Sequence, residues 1–475
     1  MPTDLHDLTA HQLLAGYQAH DFSPVEVTQA VLAQMERWEP HVAATYLLRP
    51  EAALAQAQAS EARWLRGMPQ GPLDGVPVTV KDNIATEGDP TPLGSKAVAL
   101  MPAAADAPPA QRLREAGAVF VAKTTMPDYG MLSSGLSTFH PLSRNPWDVT
   151  RTPGGSSAGA GAAAAAGYGP LHLGTDIGGS IRLPAAWCGI VGLKPSLGRV
   201  PIDPPYMGRA AGPITRTVAD AALMMQVLSQ PDARDSMSLP PVDIDWAAVW
   251  TRDKPMKGVR IGLLLNAGCG LSVEPAIEAA VQHAAHLFEA QGAVVTPIQP
   301  FMMQEWLDGL DHFWRMRSMV DIDALTAHAR AAVLPCIREW AESARGMSGA
   351  DVFRAYSATH AVRVATARAM QGVDYLLSPV SPNAPAPAEW PSPTNDPLRG
   401  LEHIGFTVPF NMGEQPAVSI NCGYMDSPGT RSAPLPIGLQ IAGQRFDDLG
   451  VLHMARAFEQ LRGPQRPWPV PPHSV

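Results

Sequence analysis

Apolar positions along the chain keep two rhythms in turn, one helical and one extended. Behind Ser23-Pro24-Val25-Glu26, a capping box with proline at the first helical position, Val27, Ala30, Val31 and Met35 recur at helical spacing. A second helix is predicted over roughly 52–66. Val76-Pro77-Val78-Thr79-Val80 then alternates and is β-branched, which predicts a strand with Lys81 at its end. A helix at 110–116 and a strand at 118–122 follow as one αβ unit. Between 145 and 195 both rhythms give way to eleven glycines, so backbone conformation and close approach outweigh side-chain packing there. Within that stretch an Ala-rich helix is expected at 158–166 and a short buried strand at 171–174.

Beyond it the pattern predicts a helix at 217–228, a Pro-rich charged link at 231–257 and a strand at 259–265. The span 301–370 reads as almost wholly helical, with Trp306, Trp314 and Trp340 assigned to its core. After a Pro-rich loop at 379–397 the chain returns to strands at 417–420 and 437–441 and a last helix at 447–461. No internal repeat is visible. Strands alternating with helices predict an α/β fold: a mixed sheet sandwiched by helices on both faces, with a peripheral helical layer.

With 46% hydrophobic and 17% charged residues the chain can bury a large core, while 48 prolines and 41 glycines make it loop-rich. The net charge of -9 is spread without basic runs, which argues against nucleic acid as a partner. Cys188, Cys269, Cys336 and Cys422 lie far apart with no C-x-x-C pair, so reduced thiols are expected rather than a disulfide or zinc framework. The first residues show no basic segment followed by an apolar one, and no apolar stretch reaches the ~20 residues of a membrane span. These features predict a soluble cytoplasmic protein with no membrane partner.

The glycine-rich segment matches several chemical motifs superficially. Gly159-Ala160-Gly161-Ala162-Ala163-Ala164 satisfies the dinucleotide pattern, and Gly155-Ser156-Ser157-Ala158-Gly159 satisfies the nucleophile elbow. Both demand a buried strand immediately upstream, which Asn145-Pro146-Trp147-Asp148-Val149-Thr150-Arg151-Thr152-Pro153 cannot form. No serine has lysine three residues later, which removes the penicillin-binding class.

Another constellation explains more. Pro153-Gly154-Gly155-Ser156-Ser157 is followed, 24 residues after Ser156, by Ser180 in Gly174-Thr175-Asp176-Ile177-Gly178-Gly179-Ser180-Ile181-Arg182, and Val80-Lys81-Asp82-Asn83 stands upstream. Together with Asn145-Pro146-Trp147, Cys188-Gly189-Ile190-Val191-Gly192-Leu193-Lys194-Pro195-Ser196, Gly212-Pro213-Ile214 and Pro436-Ile437-Gly438-Leu439-Gln440-Ile441, this resembles the amidase signature family over nearly the whole chain. The resemblance implies one domain over 1–475, with a helical region at 1–70, a catalytic core at 71–230 and a helical insertion at 301–372. It implies Ser180 as nucleophile and Lys81 as base, relayed through Ser156, which in the family follows a cis peptide bond. Backbone N–H groups of Ile177, Gly178, Gly179 and Ser180 would form the oxyanion hole, with Ser157, Asp176 and Arg182 in support. No metal or cofactor is required, and a homodimer is left open.

The chemistry is physically coherent. A serine hydroxyl is a poor nucleophile near neutrality and needs a base within hydrogen-bond reach. Lysine serves only when neutral, which requires a desolvated site that lowers its pKa. The same residues also have plainer readings. A lone lysine at a strand end is usually a surface charge, Ser156 and Ser157 resemble helix caps, and Gly178-Gly179-Ser180 alone is an ordinary turn. Asp176 and Arg182 read best as an ion pair bracing the loop. His283 and His286 lack further ligands and are expected to face solvent.

Departures from the family pattern bear on the substrate. Ala158-Gly159 stands where a second glycine pair is usual, Leu136-Ser137 replaces Glu-Asn, and Lys123-Thr124-Thr125 replaces Lys-Thr-Asn. Fewer polar groups near the site suggest an apolar pocket and argue against glutamine. The expected activity is therefore hydrolysis of hydrophobic or aryl amides, with esters and carbamates (urethanes) as extensions. The alternatives are the glutamine-hydrolysing subunit of an amidotransferase and a non-catalytic binding protein of the same fold.

Overall fold

The protein is described by a computed structural model covering residues 4–427 and 434–472. In chain order its strands are β1 (Thr45–Leu48), β2 (Pro77–Lys81), β3 (Val119–Thr124), β4 (Leu171–Asp176), β5 (Val191–Lys194), β6 (Ala210–Thr215), β7 (Arg260–Leu263), β8 (Val294–Pro297), β9 (Tyr375–Pro379), β10 (Ala417–Met425) and β11 (Leu435–Gly443). Among the described residues they form one 11-stranded sheet in the order β1-β3-β2-β4-β6-β5-β10-β11-β9-β7-β8. The ladders β2/β3, β2/β4, β7/β8 and β7/β9 are parallel, and the remainder are antiparallel. This is the mixed sheet the sequence predicts.

Helices cover both faces. Val78, Leu173, Val418 and Leu439 pack with Val218, Val281 and Leu452 from the helices Val218–Leu228, Pro275–Ala290 and Asp448–Leu461. The Ala-rich helix Ala158–Ala166 and the short helix Arg182–Cys188 contribute to the opposite layer, sharing a cluster with Ile181 and Ile214. Sandwiched strands such as β2, β4 and β11 are buried along their whole length, as expected of strands covered on both sides.

The capping box at Ser23 and Glu26 forms as predicted, and the Ala158–Ala166 helix has the bounds its composition suggests. Small residues let that helix lie directly on the chain: a Cβ at Gly159 would meet the Ala44 carbonyl oxygen at 2.1 Å. β10 and β11 run longer than expected because they pair as a hairpin through Tyr424 and Met425, past a register shift at Asn421/Gly423. β6 escapes the sequence reading because it contains Pro213. The proline is tolerated where β5 no longer pairs, since that ladder stops at Ile214. The region 301–370 folds as the helices Gln304–Asp323, Ala327–Ala332, Pro335–Glu342 and Gly349–Ala369. His283 and His286 are exposed, as expected.

Candidate active site

β2 delivers Lys81 to the interior, where its side chain is fully buried. The Lys81 Nζ lies 2.8 Å from Ser156 Oγ, 3.0 Å from Ser157 Oγ, 3.0 Å from Thr175 Oγ1 and 3.5 Å from the Thr175 carbonyl oxygen. Burial pulls the amine down from 10.5 to about 7; Asp176 and Asp82 oppose that pull, and the Arg209 charge adds to it. Asp82 is itself held by the Leu93 and Gly94 N–H groups at 3.0 and 2.8 Å and shares a 2.7 Å hydrogen bond with His140.

The cap reading of Ser156 and Ser157 does not hold. Ser157 occupies the N-cap position of the Ala-rich helix, but its side chain makes no capping hydrogen bond. Its hydroxyl donates to the Thr175 carbonyl at 3.2 Å and accepts from Lys81 Nζ. Thr175, singled out by no motif reading, accepts from Asn83 Nδ2 at 3.0 Å as well as from Lys81. The Gly155–Ser156 peptide is cis, the conformation the family resemblance implies.

Ser180 follows β4 on a tight loop. Gly179 adopts φ +126°, and a Cβ there would meet Thr407 Oγ1 at 2.8 Å, so glycine is required on two counts. Asp176 closes the loop: its carboxylate accepts the Gly179 N–H at 2.8 Å, the Ile181 N–H at 3.1 Å and the Arg182 guanidinium at 2.8 and 3.0 Å. This corrects one expectation, because the Gly179 N–H is already engaged and is not aimed at a substrate. Burial alone would raise the Asp176 carboxyl. The Arg182 guanidinium, the Asn411 amide and the Lys194 charge outweigh it and hold the group well below the usual carboxylate range.

The Asp176–Arg182 ion pair is completely buried. Arg182 donates further to the Thr407 carbonyl at 2.9 Å and to Gln440 Oε1 at 2.7 Å. Asn411 Nδ2 donates back to Asp176 Oδ1 at 2.9 Å. These partners lie 225 or more residues away in sequence, so pattern reading assigned them no role at this loop. Asp176→Ala leaves a buried guanidinium without its counter-ion, and is expected to lower stability by about 3–5 kcal/mol. Urea unfolding measures this; a loss within error of zero would contradict the bracing role.

Ser156 and Ser180 open onto one cavity of about 800 Å3, including its mouth. No hydrogen bond joins their hydroxyls among the described residues; they are tied through the backbone, the Ser157 N–H donating to the Ser180 carbonyl at 3.1 Å. Ile177 and Gly178 also line the cavity. Trp314 and Trp340, assigned above to the core, do pack in the core of the helical layer, yet they also form cavity wall with Leu401 and Ile404. The helical layer is therefore part of the site's enclosure.

The four cysteines are free thiols. Among the described residues, no cluster of His, Cys, Asp or Glu is arranged to hold a metal ion, and no helix is long and apolar enough to cross a membrane.

Comparison with known proteins identifies the fold and the family. A glutamyl-tRNA(Gln) amidotransferase subunit from Chloroflexus aggregans is 34% identical over 491 residues, covering 97% of each chain. The crystal structure of a bacterial aryl acylamidase of the amidase signature family superposes with a TM-score of 0.87 at 29% identity, covering 96% of both chains. 6-Aminohexanoate cyclic dimer hydrolase superposes with a TM-score of 0.84 at 26% identity, covering 97% of this chain and 98% of that one. The Amidase family model matches residues 26–452, and the chain belongs to the amidase signature family.

Proposed function

We propose that the protein hydrolyses the C–N bond of hydrophobic or aryl amides through an acyl-enzyme on Ser180, with Lys81 as base and Ser156 as relay. The observation that carries this reading is the contact of Lys81 Nζ with Ser156 Oγ at 2.8 Å inside a cavity that Ser180 also lines. The pattern of hydrogen bonds supports one direction for the relay. A neutral amine has two N–H donors and one lone pair. The Ser157 hydroxyl spends its proton on the Thr175 carbonyl, and the Thr175 hydroxyl directs its own to Asn83 Oδ1 at 3.5 Å, so both oxygens serve Lys81 as acceptors. The lone pair is then left for the Ser156 hydroxyl.

In the reaction Ser180 Oγ attacks the carbonyl carbon, its proton passes to Ser156 and the Ser156 proton passes to Lys81. The contact between the two serines forms as substrate settles, a tightening common to catalytic hydrogen bonds. Of the four N–H groups proposed for the oxyanion, those of Ile177, Gly178 and Ser180 remain for that role. The ammonium of Lys81 then returns a proton through Ser156 to the leaving nitrogen, and water hydrolyses the ester by the same route. Esters and carbamates present the same carbonyl and fall within the reach of this chemistry.

A second reading, as the glutamine-hydrolysing component of an amidotransferase, is favoured by the 34% identity to the Chloroflexus protein. The wall of Trp314, Trp340, Leu401 and Ile404 speaks for a larger, apolar substrate. Turnover of a panel of aryl anilides, aliphatic amides, carbamates and glutamine separates the two. The amidase reading expects kcat/KM on the best anilide to exceed that on glutamine by about a hundredfold or more. Faster release of ammonia from glutamine would reverse the assignment.

A further inference from the structure

The cavity wall is not uniformly apolar, since Tyr206, Arg209 and Arg317 also line it. Arg209 donates through Nη2 to the Pro204 carbonyl. Its Nε is shielded from solvent and has no hydrogen-bond partner among the described residues, and the same holds for Tyr206 Oη. The Arg317 guanidinium lies over the Tyr206 ring, 4.2 Å from its centroid. Its carboxylate neighbour is Asp321, 3.8 Å away and 61% exposed.

Arg209 makes no salt bridge among the described residues. Asp203 and Asp235 act on it only at a distance, while Arg317 repels it. Asp235 is already committed to the Ile202 and Met237 N–H groups at 2.9 and 2.8 Å.

A shielded N–H or O–H without a partner costs stability that a ligand can recover. Two arginines lining one cavity repel each other unless an anion lies between them. Arginine forks match the two oxygens of a carboxylate, and a phenol hydroxyl adds a further donor.

We propose that Tyr206, Arg209 and Arg317 form a carboxylate-binding subsite, so that the preferred substrate is an amide with an apolar or aryl body and a carboxylate. The inference rests on the reading of this cavity as the substrate site of a serine amidase. It narrows the substrate class: the apolar wall takes the body and the arginines orient it by its charge.

The test uses the full-length protein and the rate at which a fluorophosphonate labels Ser180. Matched pairs, 4-phenylbutyrate with 4-phenylbutyramide and benzoate with benzamide, compete with the probe. The carboxylate of at least one pair is expected to protect at about tenfold lower concentration than its amide. That preference is expected to fall toward unity in Arg209→Gln, in Arg317→Gln, and on raising KCl from about 20 mM to about 500 mM. Arg317 lies on a half-exposed helix face, so its variant remains informative should Arg209→Gln fail to fold.

Equal protection by acid and amide in both pairs, or a preference that survives in Arg317→Gln, overturns the subsite. Absence of labelling at Ser180 instead overturns the amidase reading on which it rests. With substrates, N-acetyl-4-aminobenzoate should exceed N-acetyl-4-toluidine, or N-phenylsuccinamate exceed butyranilide, in kcat/KM.

Discussion

Replacing Lys81 with methionine lowers kcat/KM on an aryl anilide by about four orders of magnitude at about pH 8. Methionine keeps the length and apolar body of the side chain but offers no lone pair to the Ser156 hydroxyl 2.8 Å away. The wild-type pH profile carries the same signature. Burial first, with help from Arg209 and against the pull of Asp176 and Asp82, brings the amine to about 7, so the neutral form fills above that pH. The rate therefore falls about tenfold for each unit below pH 7 and levels off above it.

Stability carries a matching signature. Between about 7 and 10.5 the unfolded chain holds a proton on this lysine that the folded chain does not, so this group makes stability rise with pH across that window. The methionine variant loses that contribution. Retention of more than a tenth of the activity by Lys81→Met, or survival of the acid limb in its residual rate, would remove lysine from the mechanism.

Ser180→Ala carries a larger loss, about five to six orders of magnitude in kcat, because the attacking oxygen itself is removed. Labelling by a fluorophosphonate should disappear in the same variant, since no other residue is proposed to form the covalent adduct. The alanine adds no bulk to the loop, and the brace between Asp176 and Arg182 does not involve the Ser180 hydroxyl. Loss of activity with an unchanged unfolding midpoint is therefore the expected pairing. Mass mapping that finds the adduct on Ser156, or activity that persists in Ser180→Ala, would assign the chemistry elsewhere.

Much of this site was legible in the chain because its parts are local. The β2 strand announces itself by alternation, the Ala-rich helix by composition, and the loop after β4 by consecutive glycines. Lys81 stands 75 residues ahead of Ser156, and only the family resemblance paired them in the sequence; the fold brings them together because β4 lies beside β2 in the sheet.

What sequence patterns missed is long-range or ambiguous in chemistry. Thr407 and Asn411 carry no motif of their own, Gln440 stands in the Pro436–Ile441 run without a role assigned to it, and all three matter because the fold returns them to Arg182. Ser157 looks like a cap by position and becomes a lysine partner by rotamer. Trp314 and Trp340 fit a core pattern because they are core on one side, and only the neighbouring cavity shows their second surface. β1 lies at the sheet edge and its burial does not alternate, so no two-residue rhythm marks it.

The wiring of Arg182 has a consequence for the order in which the enzyme becomes competent. Every proposed reacting group has been synthesised by residue 180, but the guanidinium that sets the loop's shape finds Thr407, Asn411 and Gln440 only near the end of the chain. A nascent polypeptide, or one clipped ahead of those residues, carries the full chemical complement without the scaffold that aims it. The brace around the loop is thus complete only once Thr407, Asn411 and Gln440 have folded against Arg182.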